Sequence, residues 1–284
     1  MKDERDFGIA WVGDSPSAKL FLSYYRRFPR HRGKGRICRW ILRSRFRNEL
    51  PMRTSFGSRI RLDPNDYIGR RIISDGGYEP KSMALAVKLM QPGGVFVDLG
   101  CNFGLYTMVL GNLPGVQCIA IDASFLALSR FVKNLELNPR IKATVVASAV
   151  SPEHALHWFT GPTNSNLGAI KISQQERNSE PNGFWAMATS LETILKKVAP
   201  GQVRLLKADL EGHELSVFKD FDFDGPFRPK NILVECDPGE FQSAQSCFEF
   251  IKRKGYSSRT VFGDFVGTCD KLPEFNVWFQ DEQT

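Results

Sequence analysis

From residue 78 onward, short apolar runs of β character alternate with stretches whose apolar positions recur at helical spacing. That alternation marks parallel strands joined by crossover helices. A first helix is expected over 80–91 (PKSMALAVKLMQ), because Pro80 suits its first turn and Pro92-Gly93-Gly94 stops it. Strand VFVDLG follows at 95–100. The same reading places helices at 104–112, 124–137, 190–198, 212–220 and 243–254, and strands at 117–122, 142–150, 203–209 and 231–237. SSRTVF and FNVWFQ, separated by turn residues, read as an antiparallel hairpin closing one sheet edge. The expected fold class is α/β with a doubly wound, mostly parallel sheet. The segment 160–189, rich in Gly, Pro, Ser and Asn, is long for a connection inside a domain. It suits either a surface insertion or a flap over a substrate.

Composition narrows the class without choosing a function. With 42% hydrophobic and 24% charged residues, the chain is neither collagen-like, disordered nor a disulfide scaffold. The six cysteines (Cys38, Cys101, Cys118, Cys236, Cys247, Cys269) stand singly, which suggests buried thiols rather than a zinc site or disulfides. No apolar run is long enough for a bilayer, and the opening MKDERDFG lacks the pattern of a signal peptide. A cytoplasmic location is therefore expected.

Charge divides the chain. Residues 19–53 contain twelve basic residues against Glu49 alone, a net +11, whereas everything beyond residue 53 sums to −2. Two units are expected: a basic, partly helical extension at 1–57, and a main domain at 58–284. Within the extension, RICRWILRSRFRNEL (36–50) places Cys38, Ile41, Leu42, Phe46 and Leu50 on one helical face and Arg36, Arg43 and Arg47 on another. Such a helix can pack on its own domain, lie on the anionic inner face of a membrane through residues 19–53, or attract nucleic acid.

The chemistry-bearing signal is VFVDLGCNFGLYT (95–107), where a buried strand runs into Gly100, Asn102 and Gly104 and then a helix. Glycines there let the backbone turn tightly at the carboxyl edge of a sheet, where nucleotides bind. The G-x-G-x-x-G string of a pyrophosphate site is absent. Asp98 before the loop would repel a pyrophosphate but attract the ammonium and sulfonium of S-adenosylmethionine, and Asp122, ending the next strand, can accept from ribose hydroxyls. S-adenosylmethionine is the favoured cofactor.

With GGYE (76–79), LSRFVKNLELN (128–138), LLKADLEGHEL (205–215) and ILVECDP (232–238), these motifs resemble the FkbM-type methyltransferases over roughly residues 58–279. Cys101 stands where Ala is usual, and Asp122-Ala123 where Glu-Pro is common. The resemblance implies a seven-stranded Rossmann-like sheet, S-adenosylmethionine as donor, and methylation of a hydroxyl on a small molecule, glycan or glycolipid. It also implies Ser148 near the adenine, with Tyr78 and Glu79 beside the donor's methionine end.

A doubly wound sheet aims the carboxyl ends of neighbouring strands into one crevice, so Asp209, Glu211 and Glu235 should converge there. A positioned carboxylate can take the proton of a hydroxyl acceptor, and Lys207 can keep its acidic neighbours ionised. A cluster of acids could instead hold a divalent metal, a version not favoured here. Alternatively, Glu211 and Glu214 merely occupy a helix start. His213 lacks the second histidine of a zinc helix and reads as a surface residue. No N-P-P-aromatic string marks a base-methylating enzyme, so nucleic acid is not the favoured acceptor. An S-adenosylmethionine-dependent O-methyltransferase is the reading carried forward; its rivals are an RNA-directed methyltransferase and a non-catalytic module that binds the cofactor.

Overall fold

The computed structural model describes residues 9–29, 31–160, 171–172, 183–236, 241–269 and 275–283. Along the chain the elements are β1 (Trp11–Gly13), α1 (Pro16–Arg27), α2 (Lys34–Phe46), β2 (Leu50–Thr54), β3 (Arg59–Leu62), α3 (Tyr67–Asp75), α4 (Pro80–Met90), β4 (Gly94–Leu99), α5 (Leu105–Leu110), β5 (Val116–Asp122), α6 (Phe125–Glu136), β6 (Ala143–Ala147), β7 (Ala149–Val150), β8 (Leu156–Thr160), β9 (Lys171–Ile172), β10 (Gly183–Thr189), α7 (Leu191–Val198), β11 (Val203–Ala208), α8 (Glu214–Asp220), β12 (Asn231–Glu235), α9 (Phe241–Arg253), β13 (Tyr256–Arg259) and β14 (Asn276–Asp281).

The central sheet has seven strands in the order β13-β14-β12-β11-β4-β5-β6. Strands β6, β5, β4, β11 and β12 pair in parallel, and β14 runs antiparallel to both neighbours. The expected fold class is thus observed. Helices cover both faces, so the central strands carry apolar residues in succession: Phe96, Val97 and Leu99 of β4 and Leu205, Leu206 and Ala208 of β11 are fully buried. Strand order reverses between β4 and β11, which creates the crevice where such sheets bind ligands.

Several elements depart from the sequence reading. The run 142–150 is two strands in different sheets. β6 ends at Ala147, and after Ser148 the chain pairs as β7 with β10. β7-β10-β8-β9 form a second, four-stranded sheet, so part of the presumed loop 160–189 is strand; residues 161–170 and 173–182 lie outside the described residues. The helix expected over 36–50 ends at Phe46, because Arg47 and Asn48 adopt left-handed backbone (φ 50° and 65°) and Leu50 opens β2. The edge hairpin forms, but its first strand is YSSR, with Val261 and Phe262 in the following turn.

The N-terminal basic segment is built into the fold. β1, β2 and β3 form a three-stranded antiparallel sheet, and residue 57 falls in the turn between β2 and β3. Trp11, Phe21, Leu42, Leu50 and Met52 share one apolar cluster with Met83, Met90, Phe96 and Met108 of the main sheet and its helices. Asn134 and Asn138 of the LSRFVKNLELN stretch explain part of that motif: their Oδ1 atoms accept from Arg61 N (2.9 Å) and Arg59 N (2.8 Å), satisfying the outer edge of β3.

Candidate functional site

A cleft of about 1010 Å³ opens at the carboxyl ends of β4, β5, β6, β11 and β12. Tyr78, Glu79, Asp98, Gly100, Asn102, Asp122, Ser148, Lys207, Asp209, Glu211 and Glu235 all line it. Of the sequence-derived candidates, Gly104 alone is not among its lining residues. Its left-handed φ of 82° turns the chain into α5, and a Cβ there would lie 2.1 Å from the Phe131 ring. Gly104 therefore serves close packing of α5 on α6.

Gly100 also has a packing reason. At φ 72°, its absent Cβ would fall 1.8 Å from the Asp209 carbonyl oxygen, so glycine lets the loop after β4 cross the end of β11. Asn102, at φ 51°, turns its N–H onto Asp122 Oδ2 (2.8 Å), while Ser124 N donates to Oδ1 (2.7 Å). Each oxygen of Asp122 keeps a lone pair for a further donor. Asp98 accepts from Thr107 Oγ1 at 2.9 Å. Burial raises both carboxyls to about 6; Lys207 and Thr107 oppose the shift at Asp98, and the Ser124 and Asn102 amides oppose it at Asp122. Ser148 donates to the carbonyls of Ala149 (2.8 Å) and Met187 (3.2 Å), so it fixes the exit from β6.

GGYE closes the cleft from another side. Gly76 ends α3 in left-handed backbone, and Glu79, at φ 44°, precedes α4. Tyr106 Oη donates to Glu79 Oε2 at 2.7 Å. The ring of Tyr106 lies 4.9 Å from Lys207 Nζ, a distance at which the π face stabilises an ammonium.

Opposite stands the acid cluster. Buried Lys207 donates to Asp209 Oδ2 at 2.7 Å. Burial disfavours the charge on Lys207, yet Asp209, Glu79 and Asp98 together outweigh it and hold the ammonium above its ordinary range. Burial likewise works against the Asp209 carboxylate, but Lys207 and a hydrogen bond from Glu235 leave it below the usual range. Glu235 is pushed well up by burial and then by the Asp209 charge and their shared hydrogen bond. The two carboxyls therefore favour sharing one proton, with Lys207 drawing the negative charge towards Asp209. Glu211 also borders the cleft, at φ 52°. Glu214 does not: it is buried, with Oε1 accepting from Leu210 N at 2.6 Å, and it closes the turn before α8.

His213 lines the cleft, contrary to its reading as a surface residue. Its position, just ahead of α8 in the loop after β11, was the available signal. Tyr67 and Phe275 add aromatic surface, with the Tyr67 and Tyr78 rings packed edge to face, 6.3 Å between centroids.

Seven carboxyl groups line the cleft against Lys207 and Arg71, and Arg71 is already paired with Asp75 at 2.9 Å. A ligand carrying positive charge and a diol fits this balance; a pyrophosphate does not. Among the described residues, no group of three or more His, Cys, Asp or Glu is arranged to hold a metal ion, and no helix is long and apolar enough to cross a membrane.

The family pattern described as Methyltransferase FkbM domain matches residues 102–258, more than half of the chain. The chain belongs to the FkbM methyltransferase family. It is accordingly an S-adenosylmethionine-dependent methyltransferase. The match includes Asp122, Ser148, Asp209 and Glu235 and begins after Asp98 and Gly100. Solved structures similar to this FkbM-family chain include an O-methyltransferase from Bacillus cereus in complex with SAH, at 11% identity and TM-score 0.43, covering 72% of this chain and 82% of that one. A precorrin-6y C5,15-methyltransferase from Geobacter metallireducens GS-15 shows 12% identity and TM-score 0.41 over 70% and 87%. An rRNA methylase from Streptococcus thermophilus shows 11% and 0.41 over 71% and 95%. No curated protein compared with the chain matches it.

Proposed function

We propose that this methyltransferase methylates a hydroxyl oxygen, on a sugar, glycolipid or natural product. The observation that carries the reading is the hydrogen-bonded Asp209–Glu235 pair, pinned by Lys207 in the same cleft as Asp98 and Asp122. When bound, S-adenosylmethionine supplies an electrophilic methyl group. Asp98 and Glu79 provide the negative charge that suits its ammonium end, Asp122 accepts from the ribose hydroxyls, and Ser148 shapes the wall for the base.

An alcohol acceptor needs somewhere to put its proton. Asp209, held ionised by Lys207, is a weak base. Glu235 has the opposite character: once it has lost its own proton it is the stronger base of the two, and added positive charge in the cleft favours that loss. Of the candidate carboxylates Asp209, Glu211 and Glu235, the base is therefore Glu235, with Asp209 and Lys207 orienting it. Glu211 and His213 border the acceptor side, and the Tyr67, Tyr78 and Phe275 rings offer flat apolar surface to a ring-shaped acceptor.

The test is incubation with methyl-labelled donor and separated glycan, lipid and small-metabolite fractions, followed by mapping of the labelled atom. A label in a methyl ether, lost with Glu235→Gln, is the expected result. Transfer to nitrogen or carbon overturns the O-methylation reading; donor binding without transfer to any fraction favours a non-catalytic role.

A further inference from the structure

The basic helix α2 uses two faces. Cys38 and Leu42 are buried in the core, and Ile41 and Phe46 pack partly against it. On the opposite side, Ile37 and Trp40 lie three residues apart, hence on one face, and remain 43% and 69% exposed. Arg36, Arg39 and Arg43 are exposed around them. The helix contains five basic residues and no acidic one.

Among the described residues, the two acids of the N-terminal segment are engaged elsewhere: Asp14 with Arg53 and Arg59, and Glu49 with Arg61. Among the described residues, Arg36, Arg39, Arg43 and Arg45 form no ion pair. Packing thus accounts for the buried face and leaves unexplained an outward strip of tryptophan and isoleucine set among guanidinium groups that form no ion pair with a described residue.

We propose that this outward face docks on the surface of an anionic lipid bilayer. Guanidinium groups at the headgroup level meet phosphates and carboxylates of opposite charge, and an indole beside them settles at the boundary between headgroups and acyl chains. Ile37 separates this occupant from RNA. A phosphate backbone would satisfy the arginines, and a base could stack on Trp40, but neither gains from an exposed aliphatic side chain between them. The buried face of α2 fixes the helix to the domain, so docking brings the whole enzyme to the surface. The inference is independent of which atom the enzyme methylates.

The full chain is sedimented with vesicles of phosphatidylcholine, alone or mixed with phosphatidylserine. Binding is expected only to the mixed vesicles, and it should fall steeply between about 0.1 and 0.5 M salt. Each of Arg36→Gln and Arg43→Gln should weaken it roughly fivefold. Trp40→Ala should weaken it by about tenfold, whereas Trp185→Ala, altering a tryptophan 51% exposed on β10, should not. The salt series on the unaltered protein gives a reading that needs no variant. Absence of vesicle binding, equal binding to both lipid mixtures, or insensitivity to the α2 substitutions overturns the proposal. So does binding of single-stranded RNA that is lost with the same substitutions while anionic vesicles are ignored.

Discussion

Two buried ion pairs of equal length illustrate two uses of the same chemistry. Arg228 Nη2 meets Asp281 Oδ1 at 2.7 Å, and Lys207 Nζ meets Asp209 Oδ2 at 2.7 Å. Around the first, the guanidinium also donates to the carbonyls of Phe223 (2.8 Å) and Lys254 (2.9 Å) and lies 4.6 Å from the Tyr256 ring. Burial raises Asp281, but Arg228 outweighs it and keeps the carboxyl below its ordinary range. Positive and negative groups there balance. Around the second, Glu79 and Asp98 bring additional negative charge to one ammonium, and the imbalance is what a cationic ligand can neutralise. A buried pair whose charges balance locks a fold, whereas one with surplus charge prepares a site.

The sharpest way to break this comparison is to neutralise the acid in each pair. Asp209→Asn should lower turnover by about a hundredfold, the scale of a misplaced catalytic group, with a modest change in melting temperature, since Lys207 keeps Glu79 and Asp98 as neighbours. Asp281→Asn should do the reverse, costing about 3 kcal/mol of stability and sparing turnover per folded molecule. Paired kinetics and thermal melts check both, and a large turnover loss in Asp281→Asn would erase the distinction.

Glu235 gives the next effect. Because its carboxyl is raised, the ionised, basic form is populated as pH increases, so turnover should climb on the alkaline side of neutrality. Glu235→Gln should flatten that limb as well as lower the rate; a profile of unchanged shape assigns the limb to another group.

Donor affinity comes third. Asp122→Ala should weaken S-adenosylmethionine binding by about 1.5 to 3 kcal/mol, the scale of a charged hydrogen bond, as measured by calorimetry on folded protein. In the wild type, Asp98 and Asp122 titrate near 6, so affinity should decline as pH falls through that value. The smallest expected effect is the acid response of stability. The lowered Asp281 carboxyl stabilises the fold above its unfolded pKa of roughly 4, and that contribution disappears as pH drops through its lower folded value. Asp281→Asn should remove this part of the acid dependence.

The main sheet was legible because its strands are apolar runs bounded by glycine and proline, and its helices repeat at 3.6 residues. β1 and β7, three and two residues long, are too short for any period, and their pairing depends on partners remote in sequence. The charge count made residues 1–57 look separable, yet the described part of that segment packs into the domain: Ile9 lines the cleft and Trp11 enters the shared core. Point substitutions on α2 are therefore better probes than removal of the segment. Most site residues were placed by the rule that strand ends face one crevice. Gly104 and His213 escaped it, one because a ring packs against it, the other because a tight turn swings it inward.

The place of β14 has a consequence for the order of assembly during synthesis. This stretch is the latest of the seven strands in sequence, yet it lies between β12 and β13. Until it emerges from the ribosome, β12 has an open backbone edge, and β13 has no strand to join. The nascent domain thus exposes an edge able to recruit foreign strands. Phe275, on the cleft wall just before β14, arrives only when that slot is filled, so completion of the sheet and completion of the site are one event.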